Sequence, residues 1–323
     1  MPSFRRPEGT VLTGETTRLI LGAAFADFMQ QVVSGLASGG IYALLALALV
    51  IIHRSTGVIN FAQGEMATLS AYIAWTLTAN HGWSYWPAFV ATLALSFLGG
   101  VLIHRAVIRP VERGSVLRIV IVTIGLLIAI NGFVVWQWSG EPQQLKSPFP
   151  SDTIDIGGVI VSVQDIGTIA VALGIVFLLW LLFQFTKVGL ALRAVAVNPQ
   201  EARLVGVRVT WMLALGWGLA AMLGAVAGML TAPAVGLDPQ MMQAILIYAF
   251  AAAVLGGIDS PVGAVVGGLT LGVLLNMLSY LSQYGLFDWF TEELRLPTAL
   301  LIILVVLLVK PSGLFGRPEV KRV

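Results

Sequence analysis

Apolar residues in this chain come in long unbroken runs, such as "IGTIAVALGIVFLLWLLFQF" at 166–185, and not in alternation. A helix that crosses a bilayer needs roughly 20 such residues. Strands of a membrane barrel would alternate over segments of about ten. Bounded by charges or Gly/Pro clusters, the runs predict nine spans: 27–52, 61–80, 85–104, 116–138, 165–186, 211–232, 241–256, 261–282 and 296–310. The run at 241–256 is short enough to be tilted or broken. Hydrocarbon offers no partner to a backbone N–H or C=O, so long apolar runs satisfy themselves as helices. The expectation is an all-α, polytopic transmembrane bundle of about eight to nine spans. An N-terminal tail (1–26) precedes the membrane domain (27–310), and a cytoplasmic tail (311–323) follows it.

Composition supports this pattern. Of 323 residues, 58% are hydrophobic and only 11% charged, with a mean hydropathy of +0.91. Soluble domains carry about 25% charged residues, and this chain lacks the residues to make a water-facing surface. The connections divide by charge. Segments 53–60, 104–118, 187–210, 256–260 and 310–323 hold thirteen Lys/Arg against four Asp/Glu. The alternating set 81–84, 138–165, 232–240 and 283–296 holds two against eight. Basic short loops mark the cytoplasmic side, which puts the N-terminus outside; a re-entrant 61–80 would reverse that parity. The net charge of +2 and the pI near 9.0 reflect these basic loops and not a nucleic-acid partner. The first residues carry arginines but no compact apolar stretch with a small-residue cleavage site, which argues against a cleaved signal peptide.

Several chemistries are excluded. There is no cysteine, and His53, His81 and His104 are scattered, so neither disulfides nor a spaced metal motif is expected. None of Lys146, Lys187, Lys310 and Lys321 follows a glycine, so there is no phosphate-binding Gly-Lys loop and no ATP site of that kind. No cofactor is expected.

Polar residues inside or beside the runs are the candidates for function. In "STGVINFAQGEMATLSAYIA" (55–74), Asn60, Gln63 and Glu65 stand ahead of an apolar run. Asn60 reads as an N-cap with Gln63 as its capping-box partner, and Glu65 falls where the helix dipole favours negative charge. The alternative is that Glu65 faces the interior, at a subunit interface or a gate. Glycines gather at 34–40, 220–230 and 254–272, spaced for close helix approach at Gly224/Gly228 and Gly263/Gly267. In "GGIDSPVG", Gly256, Gly257, Asp259 and Pro261 together can interrupt a membrane segment and line a path. "GLASGGIYALLALALVII" with its elbow and "QAILIYAFAAAVLGG" with its own elbow suggest a weak internal repeat, which transporters place at their pathway. In the polar segment 187–211, Asn198 reads as an N-cap, Pro199 as the first helical residue, and Gly206 as a left-handed stop. A two-turn helix results, presenting Ala202, Leu204 and Val205 beside Glu201 and Arg203.

The motifs "GLASGGIYALLALALVIIHRSTGVINFAQGEMATLSAYIA", "GLALRAVAVNPQEARLVGVRV", "AFAAAVLGGIDSPVGAVVGGLTLGVL" and "KPSGLFG", in this order over 28–317, resemble the permease subunits of branched-chain amino-acid ABC importers. The resemblance is to the shorter, LivH-type permease. It implies a bacterial inner-membrane subunit that pairs with a second homologous permease. Two cytoplasmic ATPases drive the pair, and a periplasmic binding protein supplies it. It also implies that the helix at Asn198–Gly206 is a coupling helix docking on an ATPase. Two departures stand out: the N-terminal extension of about 25 residues is longer than the family leads one to expect, and Gln63 stands where the family often has His, which excludes titration at that position. Related permeases are associated with urea, short amides and sugars. A stand-alone ion-coupled transporter is the alternative class, although beyond Asp27 and Asp165, at the first positions of their spans, Glu65 is the only acidic residue within a predicted span, and ion coupling tends to use such groups. An intramembrane enzyme would need paired acid/base or metal groups, which are missing.

Overall fold

The computed structural model describes residues 14–112, 114–283 and 291–316. Residues 1–13 of the expected N-terminal tail and 317–323 of the C-terminal tail lie outside the described residues. Gly14–Ala26 already belong to the first helix. Eleven α-helices follow in order among the described residues: α1 Gly14–Thr56, α2 Gln63–Trp75, α3 Tyr85–Ile103, α4 Val116–Trp138, α5 Val163–Phe185, α6 Lys187–Val197, α7 Pro199–Leu204, α8 Val209–Val235, α9 Gln243–Gly256, α10 Pro261–Gln283 and α11 Arg295–Val309. π-helical turns extend α2 over Thr76–Asn80 and α3 over His104–Ile108. A hairpin of β1 Thr153–Ile156 and β2 Val159–Ser162 turns at Gly157 and Gly158, both at positive φ.

Six segments, within α1, α3 with its π turn, α4, α5, α8 and α10, are long and apolar enough to cross a membrane. α9 and α11 are shorter apolar helices. The expected span at 61–80 is a break followed by α2, and the expected span at 241–256 is the 14-residue α9. At 1.5 Å per residue, α9 is about 21 Å long, short of the ~30 Å hydrocarbon core.

Glycine decides which helices touch. Side chains at Gly35 and Gly39 of α1 would collide with the α10 backbone at Val273 and Leu269, and ones at Gly268 and Gly272 would collide with α1. Likewise, a Cβ at Gly228 of α8 would fall on the Ala67 carbonyl of α2. Such close approach lets dispersion and backbone contacts hold helices together where lipid supplies no hydrophobic drive. α3, α4 and α5 instead expose leucines, isoleucines and aromatics such as Leu98, Ile128 and Phe177, the surface a lipid-facing helix presents.

Contacts separate two ends of the bundle. At one, His53 at the end of α1 pairs with Asp259 at 3.4 Å, and the Arg105 guanidinium lies 4.1 Å over the Trp211 ring. At the other, Trp138 donates to Thr76 at 2.9 Å, Gln143 and Leu237 exchange backbone hydrogen bonds, and Arg295 donates to Ser279 at 2.9 Å. The basic connections gather at the first end, which is therefore cytoplasmic.

Candidate functional site

Two helices begin in the middle of the bundle. After α1 ends at Thr56, the chain turns back inward through Val58 and Asn60, both buried, before α2 starts at Gln63. Gln63 Nε2 donates to the Ala220 carbonyl at 2.9 Å, eleven residues into α8, or about 17 Å from its cytoplasmic end. α2 then runs to the outer end, where Tyr72 meets the Leu237 carbonyl at 3.5 Å. α9 runs the opposite way, from Gln243 to a cytoplasmic Gly256. Gly64 packs on Met242 and Leu246, so the N-termini of α2 and α9 lie side by side at mid-depth.

Glu65 sits where they meet, 3% exposed. Its Oε2 accepts from Asn131 Nδ2 at 3.1 Å, and the Gln243 side chain also hydrogen-bonds it. Asn131 binds the Pro239 carbonyl at 3.2 Å as well. One carboxylate thus ties together α2, α4, the 236–242 loop and α9. Both helix N-termini carry partial positive charge, which favours an anion there. Asn131 and Gln243 were missed in the sequence; the available signal was an amide in the interior of one apolar run and another at the start of a second.

Asn60 is not the N-cap expected of it. The helix starts at Gln63 behind Ala62, and Asn60 Oδ1 accepts from the Ala62 N–H at 3.1 Å, two residues ahead of the cap position. Asn60 Nδ2 donates to Gln63 Oε1 at 3.2 Å, so the two amides do pair, side chain to side chain. With both residues buried, every such bond replaces one lost to water. Gln243 is exposed beside this cluster.

Gly256, Gly257 and Asp259 are not part of it. "GGIDSPVG" does not interrupt one span; it is the turn between antiparallel α9 and α10, about 20 Å from Glu65 along α9. Gly257 has φ +108°, a conformation L side chains rarely adopt. The segment "SGLFG" closes over it: Leu314 and Phe315 N–H groups donate to the Leu255 and Gly256 carbonyls, each at 2.9 Å. Asp259 is 64% exposed.

At the cytoplasmic surface, Asn198 Oδ1 accepts from the N–H groups of Gln200 and Glu201 at 3.0 and 3.2 Å, with Pro199 as the first helical residue. Gly206, at φ +86°, ends α7. Leu204 and Val205 are 86% and 78% exposed. Ala202 faces the other way: it is buried against Val195, Val209 and Leu213 and anchors α7 to its own chain.

Long apolar helices around two half-length ones that meet at a buried polar cluster define a multi-pass membrane permease. The family described as "Branched-chain amino acid transport system / permease component" matches over residues 31–309. The high-affinity branched-chain amino acid transport system permease protein BraD of Pseudomonas aeruginosa is 32% identical over 309 residues, covering 92% of this chain and 98% of that one. The corresponding permease protein LivH of Escherichia coli K12 is 31% identical over 314 residues, 93% and 99% of the two chains. A solved structure, PsaBC from Streptococcus pneumoniae in complex with Fab, aligns over 92% of this chain and 96% of that one at a TM-score of 0.49 and 15% identity. This chain belongs to the family of branched-chain amino acid transport permeases and is a multi-pass protein of the inner membrane.

Proposed function

We propose that this chain is the LivH-type permease subunit of an ATP-binding-cassette importer that carries branched-chain amino acids into the cytoplasm. It pairs with a second, homologous permease, takes substrate from a periplasmic binding protein, and is driven by two cytoplasmic ATPases. The chain has no ATP site of its own, and α7 is its coupling helix. Exposed Leu204 and Val205 at the cytoplasmic end support that assignment, because apolar side chains there gain by docking in a partner's groove.

The observation that carries the pathway assignment is Gln243. An exposed amide at mid-depth in a membrane protein faces protein or water and not lipid. Asn60, Gln63 and Glu65 stand directly behind it and form the wall of the translocation path or its gate. Gly256, Gly257 and Asp259 act further down, as the packed cytoplasmic end of the same half-helix.

The test is uptake by the assembled complex in proteoliposomes with the binding protein outside. Leucine should accumulate only with ATP on the ATPase side. Uptake driven by a proton or sodium gradient without ATP would overturn the importer reading. ATP-driven uptake of urea with no uptake of leucine would keep the machine and replace the substrate.

A further inference from the structure

The transport reading leaves unused a groove in the cytoplasmic half of the bundle. α1, α5, α6, α8 and α10 enclose a cavity of about 530 Å³, within the usual range for a small-ligand site. Its walls are apolar, with Leu47, Leu173, Val176 and Val266 along its length. Leu173 lies twelve residues before the end of α5, about 18 Å inward. The rim residues Phe177, Trp180 and Val262 are exposed, so the groove opens sideways toward hydrocarbon. Its polar groups are gathered at the cytoplasmic mouth: Arg54, Ser55, Gln184 and Arg193.

Among the described residues that line the groove, the two charged ones, Arg54 and Arg193, are both positive. Asp259 lies 3.4 Å from His53 Nδ1, and neither residue is part of the lining. Glu201 lines a separate groove between α6 and α7, which Arg193 also borders. Arg193 Nη1 donates weakly to Gln184 Oε1 at 3.5 Å, while its Nε is buried without a hydrogen-bond partner. A buried guanidinium N–H left without an acceptor is costly, and phosphate is the acceptor whose geometry matches the guanidinium fork.

We propose that this groove holds one anionic phospholipid of the cytoplasmic leaflet. An acyl chain lies along Leu47, Leu173 and Val176, and the headgroup phosphate accepts from Arg193 beside Arg54. Basic pockets between membrane helices on the cytoplasmic side suit anionic headgroups, and Trp180 stands at the depth where an indole prefers the interface. A purely apolar partner helix would cover the walls but give Arg193 no acceptor, whereas an anionic lipid satisfies both.

The full chain, purified in detergent, is mixed with phosphatidylglycerol or phosphatidylcholine, and retained lipid is counted by native mass spectrometry. One phosphatidylglycerol should be retained, in preference to phosphatidylcholine by about tenfold, the scale of one charge-assisted bond. The Arg54→Gln/Arg193→Gln double variant should lose that preference. Val176→Trp fills the groove without touching a charge and should reduce retention of both lipids, with folding confirmed by an unchanged melting profile. Equal retention of the two lipids by the unaltered chain, or retention unchanged in either variant, would overturn the proposal. So would a near-stoichiometric cross-link from Val262→Cys to a second protein chain in the assembled complex.

Discussion

Asn60 and Asn198 do the same local job in opposite surroundings. Each sits just before a short helix and accepts from the backbone at its start, Asn60 from Ala62 just ahead of α2 and Asn198 from Gln200 and Glu201 inside α7. Around Asn60 everything is closed: it pairs with Gln63, Gln63 reaches α8, and Glu65 next door binds α4 and α9. Around Asn198 everything is open: Glu201, Arg203, Leu204 and Val205 face outward, and only Ala202 turns back. The buried start answers to groups from other helices, so changing it disturbs the fold. The exposed start is complete by itself, and what it lacks is a partner.

The comparison can be broken first at α8. Gly228→Leu would drive a side chain into the Ala67 carbonyl and separate α2 from α8. Overpacking costs about 1–3 kcal/mol, and more when backbone must move. The variant should fail to accumulate in membranes, whereas Gly206→Ala, at an exposed left-handed position, should accumulate with a loss of about 1–2 kcal/mol. Next in size, Asn60→Ala strands the Ala62 N–H and Gln63 Oε1 in a buried site and should cost about 2–3 kcal/mol in detergent unfolding. Asn198→Ala should cost about 1 kcal/mol, as an exposed cap does. Equal losses in the two would show that burial adds nothing to the Asn60 hydrogen bonds.

Smaller in stability and sharper in function is Glu65→Gln. The amide keeps the shape and one acceptor for Asn131, so folding should hold within about 1 kcal/mol. Transport by the assembled complex should fall by about tenfold, equivalent to about 1.4 kcal/mol. Uptake at the unaltered rate would reduce the cluster to a purely structural role. The least effect on folding is expected for Glu201→Lys with Leu204→Asp. Both side chains are exposed, and such changes cost about 0.5 kcal/mol or less. The chain should insert and melt normally but no longer co-purify its ATPases. Recovery of the ATPases at the unaltered ratio would remove α7 from the coupling surface.

Much of this was legible along the chain. Apolar run length gave the helical class, and the alternation of Lys/Arg between connections gave the sides, because both depend on solvent transfer residue by residue. α7 was legible from Asn198, Pro199 and Gly206 because a cap is made within four residues. The start of α2 was read less well: Asn60 has capping chemistry, but the helix begins two residues later than it predicts, where Gln63 reaches the Ala220 carbonyl. The turn at Gly256 to Asp259 was recognised as polar and flexible, yet whether it broke one helix or joined two depended on how α9 and α10 pack.

The sequence by itself determined that this is a helical membrane permease, which of its loops share an end, and where most of its helices can start and stop. Those properties follow from transfer free energies and short-range hydrogen bonds. Only the tertiary structure decided that α2 and α9 begin at mid-depth, that Asn131 and Gln243 complete the site of Glu65, and that Arg54 and Arg193 share one apolar groove. Residues 65, 131 and 243 are separated by tens of positions, and no local preference encodes their meeting. It is fixed by which glycines let which helices approach, and in hydrocarbon that close packing is what chooses among otherwise equivalent apolar faces.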